Sequence, residues 1–155
     1  MWFVLSLGSN DLPEQQVCAS VLWLATLGKL TCSRLYATPP RDGSGPDYWN
    51  MAVTLQADLN IIELEAVLDA WEYQRGRRKG DTKVPIDIDL IAAGEDPSRL
   101  SLIETRLPLP LDTLFTVNDI WPELPFTLPD FPATFRPLVI EQERIRQTLE
   151  TQLSS

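Results

Sequence analysis

The sequence contains no histidine and only two cysteines among its 155 residues. Without histidine the chain lacks the commonest general base and zinc ligand, which excludes zincins, Ser-His-Asp hydrolases and Cys-His proteases. Cys18 and Cys32 are too few for a disulfide scaffold and lack the spacing of a metal site.

Long apolar runs are also missing. No stretch approaches the roughly 20 apolar residues of a transmembrane helix, and no basic segment precedes the short apolar start, Trp2 to Leu7. The composition, 44% hydrophobic and 23% charged, is typical of a globular domain, and we expect a single domain over residues 1–155. These features predict a cytoplasmic protein with no membrane partner.

Positive charge is scarce, since 13 basic residues stand against 22 acidic residues and the formal net charge is −9. This balance argues against a nucleic-acid partner. One segment departs from the average: residues 75–83, here called the basic segment, carry five basic side chains and one acidic side chain. The basic segment is a candidate binding site for an anion.

Hydrophobic periodicity predicts strands over residues 2–7, 30–38, 48–56 and 85–91, and helices over residues 13–28 and 60–76. Asn60 and Glu63 form a capping-box pattern at the start of the second helix. This order is that of the split βαβ, ferredoxin-like α+β folds, with helices on one face of a largely antiparallel sheet. After Gly94 we expect a proline-rich, mostly irregular extension with one short strand near 115–119 and a closing helix over 140–152.

Two acids two residues apart, Asp87 and Asp89, lie in the last predicted strand, so both carboxylates leave one face about 6 to 7 Å apart. Two carboxylates at that spacing can hold a pair of Mg²⁺ ions about 3.5 to 4 Å apart. The alternative is a solvated polar strand face, which the bare Asp-x-Asp pattern favours. The basic segment just upstream makes the metal site and the solvated strand face about equally favoured, because arginines and metal-holding acids together suit a polyphosphate.

Tyr48 and Asn50 share the polar face of their predicted strand. An aromatic plane beside an amide that both donates and accepts hydrogen bonds suits a flat heteroaromatic ligand. Such a pair, taken alone, is more often an ordinary polar surface feature.

Five segments, in this order, resemble the motifs of the 6-hydroxymethyl-7,8-dihydropterin pyrophosphokinase family, and together they extend from Val4 to about Ala93. The segments are Leu-Gly-Ser-Asn at 7–10, S-x-x-Y-x-T-x-P at 33–40, [YF]-x-N-x-[AV] within 47–53, E-x-x-x-G-R at 72–77 and [IL]-D-[IL]-D-[IL] at 86–90. Each motif is weak alone, whereas their joint spacing is specific. The resemblance implies an enzyme of folate biosynthesis that transfers diphosphate from ATP to the hydroxymethyl group of the pterin, releasing AMP.

The resemblance also implies roles for individual residues. On the nucleotide side, two Mg²⁺ ions would be held by Asp87 and Asp89, nucleotide contacts would come from Glu72, Arg77 and Lys79, and catalytic groups would be Arg77, Lys83 and Asp89. On the pterin side, the ring would be bordered by Thr38, Pro39, Tyr48 and Asn50, with Phe115 as a stacking partner.

Departures from the family pattern cluster on the nucleotide side. Only ten residues separate Gly76 from Asp87, and the family's Pro-His-Pro element is replaced by Pro108, Leu109 and Pro110. An alternative is therefore a catalytically impaired paralogue that acts as a pterin-binding or regulatory module. RNA-binding modules and protein-interaction modules share the split fold. The acidity of the chain disfavours RNA binding, and the sequence identifies no protein partner.

Overall fold

The computed structural model describes residues 1–140, 146–148, 150 and 151. Its elements, in chain order, are β1 (Trp2–Ser9), α1 (Pro13–Leu27), β2 (Gly28–Cys32), β3 (Leu35–Thr38), β4 (Tyr48–Ala57), α2 (Ile61–Gln74), β5 (Asp87–Gly94), β6 (Ser101–Leu102), a 3₁₀ turn (Glu104–Arg106), α3 (Leu111–Ile120) and β7 (Arg136–Leu138). The predicted ferredoxin-like α+β class is confirmed. The predicted closing helix falls mostly outside the described residues. None of the helices within the described ranges is long and apolar enough to cross a membrane.

The sheet is antiparallel throughout, with strand order β6-β5-β1-β4-β3-β7, and β2 also pairs with β4. The single strand predicted over 30–38 is instead divided into β2 and β3. Ser33 at the division still pairs with β4, because its N–H donates to the carbonyl of Ala52 and its hydroxyl accepts from the N–H of Ala52, both at 2.8 Å. A polar side chain thus replaces one regular rung of the ladder.

The main core lies between the sheet and the pair α1 and α2. Val17 and Leu24 of α1 and Leu64 and Leu68 of α2 are buried there against apolar side chains of β1, β4 and β5. The predicted capping box at the start of α2 is present, since the side chain of Asn60 accepts from the N–H of Glu63 and the Glu63 carboxylate accepts from the N–H of Asn60. Burial of the stripe and the cap together fix α2.

A second, smaller core lies on the opposite face of the sheet, where α3 packs against Val4, Ala52 and Ala92. Helices therefore cover both faces, not one as predicted. The short strand predicted near 115–119 is wrong, because this segment lies inside α3. The β-prone residues there mislead, whereas the buried positions Val117 and Trp121 have the i, i+4 spacing of a helix.

A register shift in β5 serves both cores. Val4 pairs with Ala92 and Leu5 pairs with Leu90, which leaves Ile91 as the extra residue of a β-bulge. Leu90 therefore packs in the main core, whereas Ile91 and Ala92 pack beneath α3. The strand segment before the bulge carries Asp87 and Asp89 on the α3 face.

Candidate active site

The floor of the candidate site is a row of residues across three neighbouring strands. Gly8 of β1 pairs with Asp87 of β5 on one side and with Asn50 of β4 on the other. Register partners in adjacent strands present their side chains on the same face, and strands lie about 4.8 Å apart, so Asp87 and Asn50 are about 10 Å apart at the backbone. The next row contains Asp89 beside Ser6. The sheet thus brings the predicted metal-binding acids and the predicted pterin-binding amide to one surface.

A cavity of about 610 Å³ opens above this floor. Six of the sequence-predicted site residues line it: Tyr48, Asn50, Arg77, Lys83, Asp87 and Asp89. The 40–46 loop closes one side and the end of the basic segment, residues 81–84, closes the other. The volume is that of a site for a small organic ligand.

Each of the two acids in the floor pairs with an arginine. Arg77 Nη1 lies 2.9 Å from Asp87 Oδ1, and Arg106 Nη1 lies 3.3 Å from Asp89 Oδ1. Both carboxylates are about one-third exposed, at 37% and 32% of the side-chain surface. The site therefore places two guanidinium groups next to two accessible carboxylates, which is the mixture of charges that a metal-bound phosphate group requires.

The E-x-x-x-G-R motif is explained by the way α2 ends. Gly76 adopts a positive φ of 103°, its N–H donates to the carbonyl of Tyr73, and the N–H of Arg77 donates to the carbonyl of Glu72. These two bonds form a Schellman motif, for which glycine is the preferred residue. The turn brings the Arg77 side chain within 3.9 Å of Glu72. The spacing in the sequence is thus the spacing that positions the pair.

Asn10 fixes the end of the basic segment. Its Nδ2 donates to the carbonyl of Thr82 at 3.1 Å, its Oδ1 accepts from the N–H of Val84 at 2.6 Å, and its own N–H donates to the carbonyl of Val84 at 3.0 Å. The Leu-Gly-Ser-Asn segment is more than a turn, since its asparagine ties β1 to the chain that leads into Asp87. Lys83 lies between the two anchoring points and lines the cavity.

Crowding of acids alters their titration. Burial, followed by the charge of Asp87, raises the pKa of Asp89 to about 6, with Arg106 opposing the shift. Burial and then Asp87 likewise raise the pKa of Glu72 to about 7, with Arg77 opposing. Burial and the neighbouring acid together therefore disfavour the charged forms of Asp89 and Glu72 more than the arginines favour them. Such a cluster favours the binding of additional cations.

Replacing Glu72 by glutamine is expected to stabilise the metal-free protein at pH 8 by about 2 kcal/mol. The Glu72 side chain is only 13% exposed. The folded state holds the proton up to about pH 7, whereas the unfolded chain releases it near 4.5, so this carboxyl weakens folding progressively as the pH rises through that interval. Urea unfolding of both proteins between pH 4 and 8 measures the effect. A difference that does not change with pH would contradict this account.

The opposite end of the cavity floor is formed by an ordered amide and an aromatic ring. Asn50 is 6% exposed, and its Nδ2 donates to Thr38 Oγ1 at 2.5 Å. Thr38, which is itself buried, therefore fixes the orientation of the Asn50 amide through this hydrogen bond. Oδ1 of the same amide lies near the Cα of Gly8, and the ring of Tyr48 borders that glycine too. This arrangement presents an amide oxygen and an aromatic ring to a ligand above the sheet.

Five predicted site residues are not among those that line the cavity. Thr38 and Glu72 lie behind lining residues, since Thr38 accepts a hydrogen bond from Asn50 and Glu72 lies 3.9 Å from Arg77. Pro39 is exposed beside Pro40, which does line the cavity, and Lys79 is exposed on the outer part of the basic segment. Phe115 contacts Phe131 and Phe135 edge to face, with ring centroids 5.1 and 6.1 Å away. Their roles toward a ligand stay predictions.

Three further charged residues belong to the site, although no pattern in the sequence indicated them. Arg106 pairs with Asp89, as described, and Arg41 forms an ion pair with Asp112 at 2.8 Å. Arg41 and Asp112 line the cavity together with the two floor acids. No local spacing connects residues so distant in the chain, and only the fold reveals them.

The donor set suits Mg²⁺. Among the described residues no group of three or more His, Cys, Asp or Glu side chains is arranged to hold a metal by itself. Mg²⁺ prefers oxygen ligands and in phosphate-transfer sites is bound through one or two carboxylates together with substrate phosphates. Asp87 and Asp89 supply the two carboxylates, so the residues present fit an ion that is completed by a phosphate ligand.

Comparison with known proteins agrees with this geometry. The family model described as 7,8-dihydro-6-hydroxymethylpterin-pyrophosphokinase (HPPK) matches residues 4–141. No curated protein matches the chain. Among solved structures, a crystal structure of Plasmodium falciparum HPPK-DHPS wild type with SDX-DHP matches with a TM-score of 0.54 and 14% sequence identity. That match covers 99% of this chain and 44% of the other, so this chain spans less than half of the length of that protein.

The family match extends over most of the sequence, beyond the segment that carries the five motifs. At 14% identity the structural match supports the fold alone. The resemblance noted in the sequence is confirmed, and the chain belongs to the 7,8-dihydro-6-hydroxymethylpterin-pyrophosphokinase family.

Proposed function

We propose that this chain transfers diphosphate from ATP to the hydroxymethyl group of 6-hydroxymethyl-7,8-dihydropterin. The observation that carries the proposal is the shared floor of the cavity, where Asn50 and Asp87 lie in one row on either side of Gly8. A pterin held by its edge at Asn50 would extend its hydroxymethyl group toward the acids. The ring and the phosphates would then meet above β1.

In the reaction, the hydroxymethyl oxygen forms a bond to the β-phosphorus of ATP. The bond between that phosphorus and the oxygen bridging to the α-phosphate breaks, and AMP leaves with the bridging oxygen. The hydroxyl proton passes to a carboxylate of the Asp87–Asp89 pair. We propose two bound Mg²⁺ ions, which would neutralise the charge of the phosphate groups.

The protein's own contribution is to position the substrates and to neutralise charge. Asn50 and Tyr48 bind and orient the acceptor, and Asp87 and Asp89 would hold Mg²⁺. Arg77, set in place by the end of α2, pairs with Asp87 and would contact a phosphate group bound there. Because phosphoryl transfer depends mainly on positioning and electrostatic stabilisation, the absence of histidine is no obstacle.

The test is to measure AMP formation from ATP with the purified chain, Mg²⁺ and the pterin alcohol. AMP should appear only when all three are present. Asp69→Ala removes one acid at an exposed position of α2 that is not among the residues lining the cavity, and it should form AMP as the wild type does. If the wild-type chain forms no AMP over a range of pH and Mg²⁺ concentrations, the proposed activity is refuted.

Gly8→Ala is expected to weaken binding of the pterin alcohol by about tenfold or more, since the loss of one or two buried hydrogen bonds has that effect. A Cβ at this position would lie 2.9 Å from Asn50 Oδ1 and 3.8 Å from Tyr48 Cδ1, so the amide must move. Calorimetric titration with the pterin measures the loss. Nucleotide affinity, measured on the same protein, should be retained, and an equal loss of both affinities would mean general disruption of the site.

A second candidate is a pterin-binding module without transferase activity. The supporting observation is Leu109, which stands where the family has the histidine of Pro-His-Pro and is buried beneath α3 at 8% exposure. This position therefore contributes to packing and not to a nucleotide contact. Calorimetry that detects pterin binding without Mg²⁺-dependent nucleotide binding would favour the module, whereas tight nucleotide binding would favour the enzyme.

A further inference from the structure

Arg41 in the loop between β3 and β4 is held by a two-pronged contact. Its Nε donates to Asp112 Oδ2 at 3.2 Å and its Nη2 donates to Asp112 Oδ1 at 2.8 Å. A planar guanidinium bonded through two nitrogens to one carboxylate has a defined orientation. Arginine carries five N–H groups, so three remain for another ligand.

Asp112 is a rigid anchor for this arginine. It lies in the first turn of α3 and is 8% exposed, and the hydroxyl of Thr113 donates to its Oδ1 at 3.2 Å. The helix is fixed on the sheet through Val117, which is fully buried. The Arg41 side chain, by contrast, is 65% exposed. A buried acid thus holds an accessible cation against the cavity.

The position of Arg41 relative to the floor indicates what it contacts. The hydrogen bond that Arg41 donates to Asp112 is the main cause that raises the pKa of Arg41, and the charges of Asp89 and Asp87 raise it as well. The guanidinium therefore lies within electrostatic range of both acids while its chain segment leads directly to Tyr48 and Asn50. Arg41 thus places a cation in the wall of the cavity whose floor contains Asn50, Asp87 and Asp89.

We propose that Arg41 contacts the diphosphate group as it passes from ATP to the pterin, and that Asp112 is the positioning residue for Arg41. The inference rests on the proposed function. In the product, the diphosphate is attached to the pterin hydroxymethyl oxygen, so it occupies the space between the ring and the acids. Arg41 supplies a positive charge there in addition to Arg77 and partly replaces cations absent from the shortened basic segment.

The test compares two ligands that differ only in the diphosphate. Calorimetry in the presence of Mg²⁺ measures the affinity of wild type and Arg41→Ala for the pterin alcohol and for its diphosphate ester. We expect the variant to bind the ester at least about tenfold more weakly, as for one charge-assisted hydrogen bond, and to bind the alcohol as wild type does. In turnover, kcat should fall while the KM for the alcohol is unchanged.

Arg136→Ala is the matched control. Arg136 pairs with Asp47 at 3.4 Å and so also anchors the loop between β3 and β4, but it is not among the residues that line the cavity. If Arg41 only anchored the loop, both variants would behave alike. Arg41→Lys, which keeps the charge without the fork, should recover part of the ester affinity, and Asp112→Asn should weaken ester binding less than Arg41→Ala does.

The outcomes separate this inference from the proposed function. Equal losses of alcohol and ester affinity in Arg41→Ala, or loss of thermal stability alone, would overturn the diphosphate contact. A wild-type chain that binds the ester through Arg41 but forms no AMP would support the contact and refute the activity. A wild-type chain that forms AMP, together with an ester affinity that Arg41→Ala does not change, would support the activity and refute the contact.

Discussion

Asp89→Ala and Asp89→Asn are each expected to lower AMP formation by at least about 10³-fold, the scale of losing a metal ligand and its charge at a phosphoryl-transfer centre. Asp89 lies in β5 beside Asp87, faces the cavity and pairs with Arg106. Without its carboxylate the site loses half of its metal-binding oxygens. Steady-state assays with the pterin alcohol and ATP measure the loss.

Stability measurements separate this effect from misfolding. Burial and then the charge of Asp87 raise the pKa of Asp89 to about 6, so the ionised carboxylate destabilises the fold as the pH rises from near 4 to 6. At pH 8 the asparagine variant should therefore be at least as stable as wild type, by up to about 1 kcal/mol after solvent screening is allowed for. An inactive but stable Asp89→Asn protein would support a catalytic role. Activity equal to wild type would contradict it.

Arg77→Ala is expected to lower kcat/KM by about 10² to 10³-fold, the effect of removing one positioned donor from a charge-stabilising site. Arg77 connects three groups, since it lies 2.9 Å from Asp87, 3.9 Å from Glu72 and 3.4 Å from the carbonyl oxygen of Ile86. Its loss removes a cation from the proposed phosphate position and takes the Arg77 partner away from Asp87 and Glu72. The KM for ATP should rise and kcat should fall.

Two further variants sharpen the test of Arg77. Arg77→Lys keeps a point charge but not the planar fork, and it should recover only part of the activity. Arg99→Ala removes an exposed arginine from the turn between β5 and β6 and should have no effect. If Arg77→Ala and Arg99→Ala were equally active, Arg77 would have no role in the reaction.

Local sequence signals predicted the parts of the fold that depend on periodicity and caps. The apolar stripe and capping box of α2 are local in sequence, and both are present. The E-x-x-x-G-R motif likewise corresponds to a local device, the Schellman turn at Gly76. Features of this kind can be inferred from neighbouring residues because their physical causes lie within one or two turns of chain.

In the proline-rich part of the chain, the same local signals predicted the wrong element. Phe115, Thr116 and Val117 are β-prone in isolation, yet they lie in α3, where Thr113, Thr116 and Val117 form a buried helical stripe. The tertiary contact outweighs the local propensity. The second core could not be predicted for this reason, and with it the helix that carries Asp112.

The charged residues of the site likewise include some that local spacing predicts and some that only the tertiary fold brings together. Asp87 and Asp89 could be assigned from their spacing in one strand, since alternation places them on one face. Arg106 and the Arg41–Asp112 pair reach the cavity from elements distant in the chain, and no spacing rule connects them. The sequence therefore predicts a site that is poorer in cations than the one that the structure assembles.

The most direct test of the central claim is a ³¹P NMR spectrum of the complete reaction of the chain with Mg²⁺, ATP and 6-hydroxymethyl-7,8-dihydropterin. AMP and a pterin-linked diphosphate should appear in equal amounts, and Asp89→Asn should yield neither. Intact ATP in the wild-type reaction, or ADP with a singly phosphorylated pterin, would contradict the central claim.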